Sequence, residues 1–336
     1  MLTVGVIGIG TWGKNHVRVW SELPQAKLVA IADNNPEVAQ RLAVQYHIAG
    51  ETDYRMLLRN PNIHAVSICT PSGTHYAVAK AALEAGKHVL LEKPIALTAK
   101  EAQELVILAA QKNCIFMPGH IFRFDPVILR IKQELENGTI GKVNFLYSSR
   151  LGLMTPRPDC GVIMDFALHD IDIACFLLEE WPDRVTAVGQ TTHSGTARAF
   201  EDVGFITMHF PSGVLANASV SWLTPKKVRD LWVIGSGKSI GADLISQQCD
   251  IFDKGVMPDY SSFGEFKLIT KQGGDDVRVT IENREPLKEE LSHFANCVLS
   301  GKAPKVTGEI GARVVTVIAA CYRSMQQGKT VEVSYG

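Results

Sequence analysis

The chain has no excess of basic residues, no Cys-x-x-Cys pair, no internal repeat and no low-complexity tract. No apolar run approaches the ~20 residues that a membrane-spanning helix needs, so no membrane partner is expected. Its net charge of −1 over 336 residues argues against nucleic acid as the main partner, because phosphate backbones demand a basic excess. That balance still leaves room for one small anionic ligand in a local basic pocket. The seven cysteines (69, 114, 160, 175, 249, 297 and 321) are scattered and odd in number. They fit a reducing compartment, and no cluster has metal-ligand spacing, so no metal is expected. Leu2–Ile7 reads as a strand and not as a cleavable apolar leader, and the expected location is the cytoplasm.

What the chain does have is length and alternation. Its 336 residues, 46% hydrophobic and 21% charged, exceed one ordinary core and suggest two domains. Over the first ~120 residues, short Val/Ile/Leu-rich runs (Thr3–Gly8, Lys27–Ala32, His64–Cys69, His88–Glu92, Ile115–Pro118) alternate with helical patterns (Trp12–Glu22, Pro36–Tyr46, Thr74–Ala85, Ala99–Lys112). That is the signature of a doubly wound parallel sheet, here 1–119. After Pro118 the pattern changes. Helical Asp125–Asn137, a strand at Val143–Arg150 and an apolar helix over Gly161–Glu180 precede a strand-rich stretch: Val185–Gly189, Val203–Phe210, Gly213–Trp222, Asp230–Gly235 and Phe266–Thr270. Helices at Leu287–Ser300 and Gly308–Gln327 follow. Residues 120–336 therefore read as an α+β domain with a large, mainly antiparallel sheet.

The strongest local motif is Gly8-Ile9-Gly10-Thr11-Trp12-Gly13, placed between a strand and a helix. Gly8 permits the tight turn, Gly10 lets the backbone approach a pyrophosphate, and Gly13 lets helix and strand pack closely. The helix N-terminus turns free N–H groups toward the phosphates. Asp33 stands at the end of the second strand, twenty residues after Gly13. A carboxylate there accepts bonds from both adenosine ribose hydroxyls and repels a 2′-phosphate. Asn34 and Asn35 follow, not an arginine, which favours NAD over NADP.

Two further loops end the third and fourth strands: Cys69-Thr70-Pro71-Ser72-Gly73-Thr74-His75 and Glu92-Lys93-Pro94. With the Gly-rich loop they resemble the Gfo/Idh/MocA family of sugar dehydrogenases, a likeness that spans essentially the whole chain. The resemblance implies an N-terminal Rossmann fold and an active-site lysine, Lys93, whose bond to Pro94 is commonly cis. An ammonium there stabilises a developing alkoxide and helps proton transfer. Thr70, Pro71, Ser72, His75 and Glu92 fall on the cofactor side. Glu92 is placed to orient Lys93 or the nicotinamide, and His75 reads equally well as a residue that starts the helix.

In the second domain, Asp165, His169 and Asp172 lie at i, i+4 and i+7 of an otherwise apolar helix, within roughly 60° of one face. The family's G-x-x-x-D-x-x-x-H-x-x-D run carries substrate-facing roles onto Asp165 and His169. His169 is the expected general base, because imidazole titrates near neutrality. Asp165 would hold the imidazole or a substrate hydroxyl, with Asp172 in support and Asp170 off that face. His120-Ile121-Phe122-Arg123-Phe124-Asp125-Pro126 is similar to an H-x-x-R-F-N-P run of the nucleotide-sugar 3-dehydrogenase branch, with Asp125 where Asn is usual. Arg123 of this run, and Arg150 and Arg157 of the segment Arg150…Arg157-Pro158-Asp159-Cys160-Gly161 just ahead of the helix, become candidates for pairing with a diphosphate. The expected reaction is hydride transfer from C3 of UDP-N-acetylglucosamine or its uronate to NAD. The alternatives are an inositol or free-sugar dehydrogenase, and a non-catalytic NAD-binding sensor. Family members commonly pair their second-domain sheets, so a homodimer or homotetramer is expected.

Overall fold

The computed structural model describes residues 1–155, 157–192, 200–253 and 276–335. Strands β1 (Leu2–Ile7), β2 (Ala26–Ala32), β3 (Ala49–Glu51), β4 (Ala65–Ile68), β5 (His88–Glu92) and β6 (Phe116–Gly119) form one sheet in the order β3-β2-β1-β4-β5-β6. Every pairing in it is parallel. Val4, Val6, Ile31, Val66, Ile68 and Leu90 are buried, as strands covered on both faces must be. Helices α1 (Gly13–Glu22), α2 (Pro36–Tyr46), α3 (Arg55–Arg59), α4 (Ser72–Glu84) and α5 (Ala99–Gln111) make the connections. Local chemistry starts α2 where the sequence suggests: the Asn35 side chain accepts from the N–H groups of Glu37 and Val38, and Pro36 takes the first turn. Strand order reverses between β1 and β4, which opens a crevice at their carboxyl ends.

After a 3₁₀ turn (Ile121–Phe124) and α6 (Pro126–Glu136), the second sheet has nine strands: β7 (Val143–Leu151), β8 (Arg184–Gln190), β9 (Val203–His209), β10 (Leu215–Ser221), β11 (Val228–Gly235), β12 (Lys238–Asp243), β13 (Gln248–Asp253), β14 (Val277–Arg278) and β15 (Val331–Glu332). Their order is β14-β13-β12-β11-β7-β10-β9-β8-β15. The sheet is mixed: β7 and β10 run parallel, and the other pairs are antiparallel. Phe266–Thr270 lies outside the described residues. Alternate residues divide this sheet. Leu146, Ile206, Ala218 and Val233 are buried, whereas Phe145, Tyr147, Phe205 and Trp232 are exposed on the other face. Among the described residues no helix is long and apolar enough to cross a membrane.

The helix expected over Gly161–Glu180 is in fact two pieces, a π-type turn at Ile163–Ala167 and α7 (Leu168–Leu178). Its start is fixed from a distance. Glu201 accepts the Val162 N–H through its carbonyl and the Ile163 N–H through its side chain.

Helices α8 (Pro286–Ser300) and α9 (Gly308–Gln327) close the chain. Leu287, Leu291 and Phe294 of α8 join the core beneath β1 and β2. The same helix buries Glu290, which has no hydrogen-bond partner among the described residues. Burial, then Glu92, pushes its carboxyl well above the ordinary range. A raised folded-state pKa gives stability that is complete below the unfolded value of about 4.5 and is lost as pH rises, by about 1.4 kcal/mol per pH unit until the folded pKa is reached. Glu290→Gln removes that slope. Its melting temperature relative to the parent is therefore expected to climb between pH 5 and pH 8; a difference that stays flat contradicts the assignment.

Candidate active site

The crevice continues into a cleft of about 1030 Å³ lined by both halves of the chain. At one end stands the Gly-rich loop. Gly8 has φ +85°, and a Cβ there would lie 2.7 Å from the Thr70 nitrogen. A Cβ on Gly13 would lie 1.9 Å from the Gly8 carbonyl oxygen, so α1 packs onto β1 only because both are glycine. A Cβ on Gly10 would meet nothing within 4 Å: the space over the loop is open, and no side chain caps α1. Asp33 also lines the cleft. Its oxygens accept from the backbone N–H of Ile9 (2.6 Å) and of Asn35 (2.9 Å), which holds the carboxylate at the end of β2. A bare loop with uncapped N–H donors for phosphates and a fixed carboxylate to accept from ribose hydroxyls are the set that a dinucleotide requires.

Trp12 stands over the cleft, and its indole N–H donates to Glu92. Glu92 also accepts the backbone N–H of Lys93 (3.2 Å) and bonds the His16 imidazole (3.0 Å), which reaches Ser67 Oγ on its other side (2.7 Å). Burial pushes the Glu92 carboxyl up, but His16, Lys93 and Trp12 together pull it below the usual range. His16 was missed in the sequence. The available signal is its position on the buried stripe of α1 with Val17, Val19 and Trp20. Thr70, Pro71 and Ser72 line the same wall. His75 is buried, with Nδ1 2.6 Å from the Pro94 carbonyl and Nε2 2.7 Å from that of Thr70. It ties the two loops together, and burial pulls its pKa below the ordinary value.

The Lys93–Pro94 peptide is cis. Lys93 Nζ donates to Oδ1 of Asp165 (2.8 Å) and to its backbone carbonyl (2.9 Å). Asp165 also accepts from Arg157 Nη1 (3.2 Å). Burial raises the Asp165 carboxyl, but Lys93 and Arg157 bring it below the usual range. Asp165 therefore grips the lysine; among the described residues it makes no bond to His169. His169 lines the cleft and stacks edge-on against Phe122, ring centroids 5.0 Å apart. Neither ring nitrogen has a hydrogen bond among the described residues. Burial, then Lys93, Arg150, His120 and Arg229, lower its pKa well below the ordinary histidine value, so the imidazole is neutral at pH 7.

Arg157 crosses the cleft to Ser72 Oγ (2.8 Å) and is braced by Asp159 (3.1 Å), so this loop bridges the two halves. Arg123 corrects the sequence reading. It does not reach the cleft. Its Nε and Nη2 hold the buried Asp172 (2.9 and 2.7 Å), whose carboxyl His120 and Arg123 pull down to about 2 against the upward push of burial. A guanidinium so engaged has no fork left for a diphosphate. Asp125 caps α6 through the N–H groups of Val127 and Ile128, a task that Asn performs equally well. Asp170 pairs with Arg150 (3.0 Å). Among the described residues no group of three or more His, Cys, Asp or Glu side chains is set to hold a metal ion.

One cleft thus joins the open Gly-rich loop and Asp33 to Lys93 and the neutral imidazole of His169, and the family match gives the class, an oxidoreductase acting on CH–OH groups. The chain belongs to the Gfo/Idh/MocA oxidoreductase family: its NAD-binding Rossmann model matches residues 2–120 and its C-terminal α/β domain model matches 132–333. Among similar proteins, the UDP-N-acetylglucosamine 3-dehydrogenase of Acidithiobacillus ferrooxidans is 30% identical over 94% of each chain. The myo-inositol 2-dehydrogenase of Thermotoga maritima is 27% identical over 99% of this chain and 98% of its own. A solved structure of the Acidithiobacillus enzyme superposes with a TM-score of 0.82 at 28% identity, covering 97% of this chain and 98% of that one. The protein is thus a sugar or polyol oxidoreductase of this family.

Proposed function

We propose that the protein is an NAD-dependent dehydrogenase that oxidises a secondary hydroxyl of a nucleotide sugar, at C3 of UDP-N-acetylglucosamine or its uronate. The observation that carries this reading is the placement of Lys93 and His169 along one cleft whose far end holds the open Gly8–Gly13 loop and Asp33. The likeness to the Acidithiobacillus enzyme supports the choice of sugar. A bound nicotinamide supplies the hydride acceptor. The chain supplies position and proton control. His169, neutral and without a competing bond among the described residues, takes the hydroxyl proton. Lys93, fixed by Asp165, holds its ammonium beside the developing alkoxide. Arg157, Ser72 and Trp12 shield the site from water.

The reading is tested by following absorbance at 340 nm with a panel of UDP-sugars, inositols and aldoses, each with NAD and NADP. Turnover of UDP-N-acetylglucosamine or its uronate is expected. Activity on myo-inositol alone would assign the chain to inositol oxidation, and NAD binding with no turnover would make it a sensor. Asp33→Ser removes the charge that repels a 2′-phosphate. Like-charge contact of this kind costs several kcal/mol, so the NADP/NAD ratio of kcat/KM is expected to rise about 100-fold. An unchanged ratio would take cofactor choice away from Asp33.

The exposed row Phe145, Tyr147, Phe205 and Trp232 supports assembly through the second sheet, because apolar patches of this kind mark interfaces. Light scattering is expected to give a dimer or tetramer of the 36.8 kDa chain. A monomer at assay concentration would contradict that.

A further inference from the structure

Arg229 on β11 and Arg150 on β7 are direct cross-strand partners, and both line the cleft. Like charges placed opposite one another on a sheet repel, yet among the described residues only one of the two has an acid partner. Arg150 Nε and Nη2 bond the carboxylate of Asp170 (3.0 and 3.2 Å). Arg229 Nη1 donates to the carbonyls of Leu151 and Val228, each at 2.6 Å, and its guanidinium lies 4.6 Å over the Phe166 ring. Among the described residues, nothing accepts from its Nε or Nη2, and no carboxylate pairs with it. Lys227, exposed at the same cleft, also has no acid partner among them.

The free edge matters. In three other arginines of this protein the Nε/Nη2 edge grips a carboxylate: Arg123 on Asp172, Arg157 on Asp159 and Arg278 on Asp250. Its two N–H groups match two oxygens of a carboxylate or phosphate. On Arg229 the carbonyls and the Phe166 ring fix the plane and leave that edge unmatched. Burial and then Arg150 push the guanidinium down to about 10, still a cation at neutral pH. Phe166 follows Asp165 in the chain, and His169 lies close enough to feel the Arg229 charge. The unmatched cation thus sits by the reacting residues, whereas the other end of the cleft carries the acid Asp33.

We propose that Arg229, with Lys227 at the rim, anchors an anionic group of the substrate through paired oxygens, a carboxylate or phosphate carried by the sugar that reaches His169. This rests on the reading of the cleft as a sugar dehydrogenase site and narrows its substrates to anionic sugars.

The test is calorimetric binding to the NADH-loaded protein, which needs no turnover. The anionic ligands are UDP-N-acetylglucosamine, its uronate, D-glucuronate and glucose 6-phosphate. The neutral ones are N-acetylglucosamine and myo-inositol. Parent, Arg229→Gln and Arg229→Lys are compared. The parent is expected to prefer anionic ligands. Arg229→Gln is expected to raise their Kd by about 10- to 100-fold, the usual range for a lost charged hydrogen bond, with NADH and neutral-sugar affinity unchanged. Arg229→Lys, which keeps the charge without the fork, is expected to fall between, and it decides the matter if the glutamine variant folds poorly. Equal losses for the two UDP-sugars assign the anion to the diphosphate; losses confined to the uronate and glucuronate assign it to the sugar carboxylate. Arg229-dependent binding of anionic monosaccharides without any UDP-sugar binding would keep this inference and discard the UDP-sugar reading. A parent with no preference for anions, or variants that weaken neutral and anionic ligands alike or neither, would overturn it.

Discussion

Replacing His169 with alanine is expected to lower kcat for sugar oxidation by about 10²- to 10⁴-fold, the usual contribution of a positioned general base, while NAD affinity stays near that of the parent. Three features set this size. The imidazole lines the cleft beside Lys93, is oriented by Phe122, and has no protein hydrogen bond to give up among the described residues. Its depressed pKa keeps it in the accepting form at neutral pH. The sign follows directly: a base whose pKa is lowered stays unprotonated further into acid. The acid limb of kcat/KM that His169 sets is therefore expected well below pH 6.5, and it should vanish in the alanine variant with the activity. Steady-state kinetics across pH 5–8 checks both. Unchanged kcat would reduce His169 to a packing residue between helix and sheet.

Lys93→Met is expected to cost about 10²- to 10³-fold in kcat, comparable to removing one preorganised donor from a developing oxyanion. Methionine keeps most of the side-chain volume but loses the ammonium. Among the described residues no other acid pairs with the Lys93 ammonium: Asp165 accepts from it twice, through its carbonyl and Oδ1, and Arg157 shares that same Oδ1. The variant leaves Asp165 with Arg157 alone, so the buried carboxyl rises. Lys93→Arg is not expected to rescue, since a planar fork cannot take the place of a compact ammonium. NAD binding, followed by fluorescence titration, should survive in both variants. Near-normal turnover of Lys93→Met would contradict the role given to the lysine.

The parts of this site that could be read from the sequence are those set by local chemistry. The Gly8–Gly13 turn, the acid Asp33 after β2, the Asn35-Pro36 start of α2 and the Lys93-Pro94 pair each depend on neighbours in the chain. The parts that could not be read depend on distant partners. Arg123 looked like a cation at the mouth of the pocket, and Asp172, 49 residues away, claims it. The π-type turn at Ile163–Ala167 is set by Glu201, 38 residues further along the chain, so a uniform α-helical spacing puts Asp165 next to His169, whereas it faces Lys93. Strands β3, β14 and β15 have three residues or fewer, too short for any alternation to show. Arg229 is silent in sequence because its significance is the lack of an acid opposite it, which only the pairing of β7 with β11 reveals.

One labelling experiment bears most directly on hydride transfer in this cleft. UDP-N-acetylglucosamine deuterated at C3, and myo-inositol deuterated at its carbinol carbons, are incubated with the protein and NAD, and the mass of the nicotinamide product is measured. The expected result is NADH one mass unit heavier from the UDP-sugar, with none of the label lost to water. Bound NAD that stays unreduced with both labelled sugars, or NADH that carries no deuterium, would contradict it.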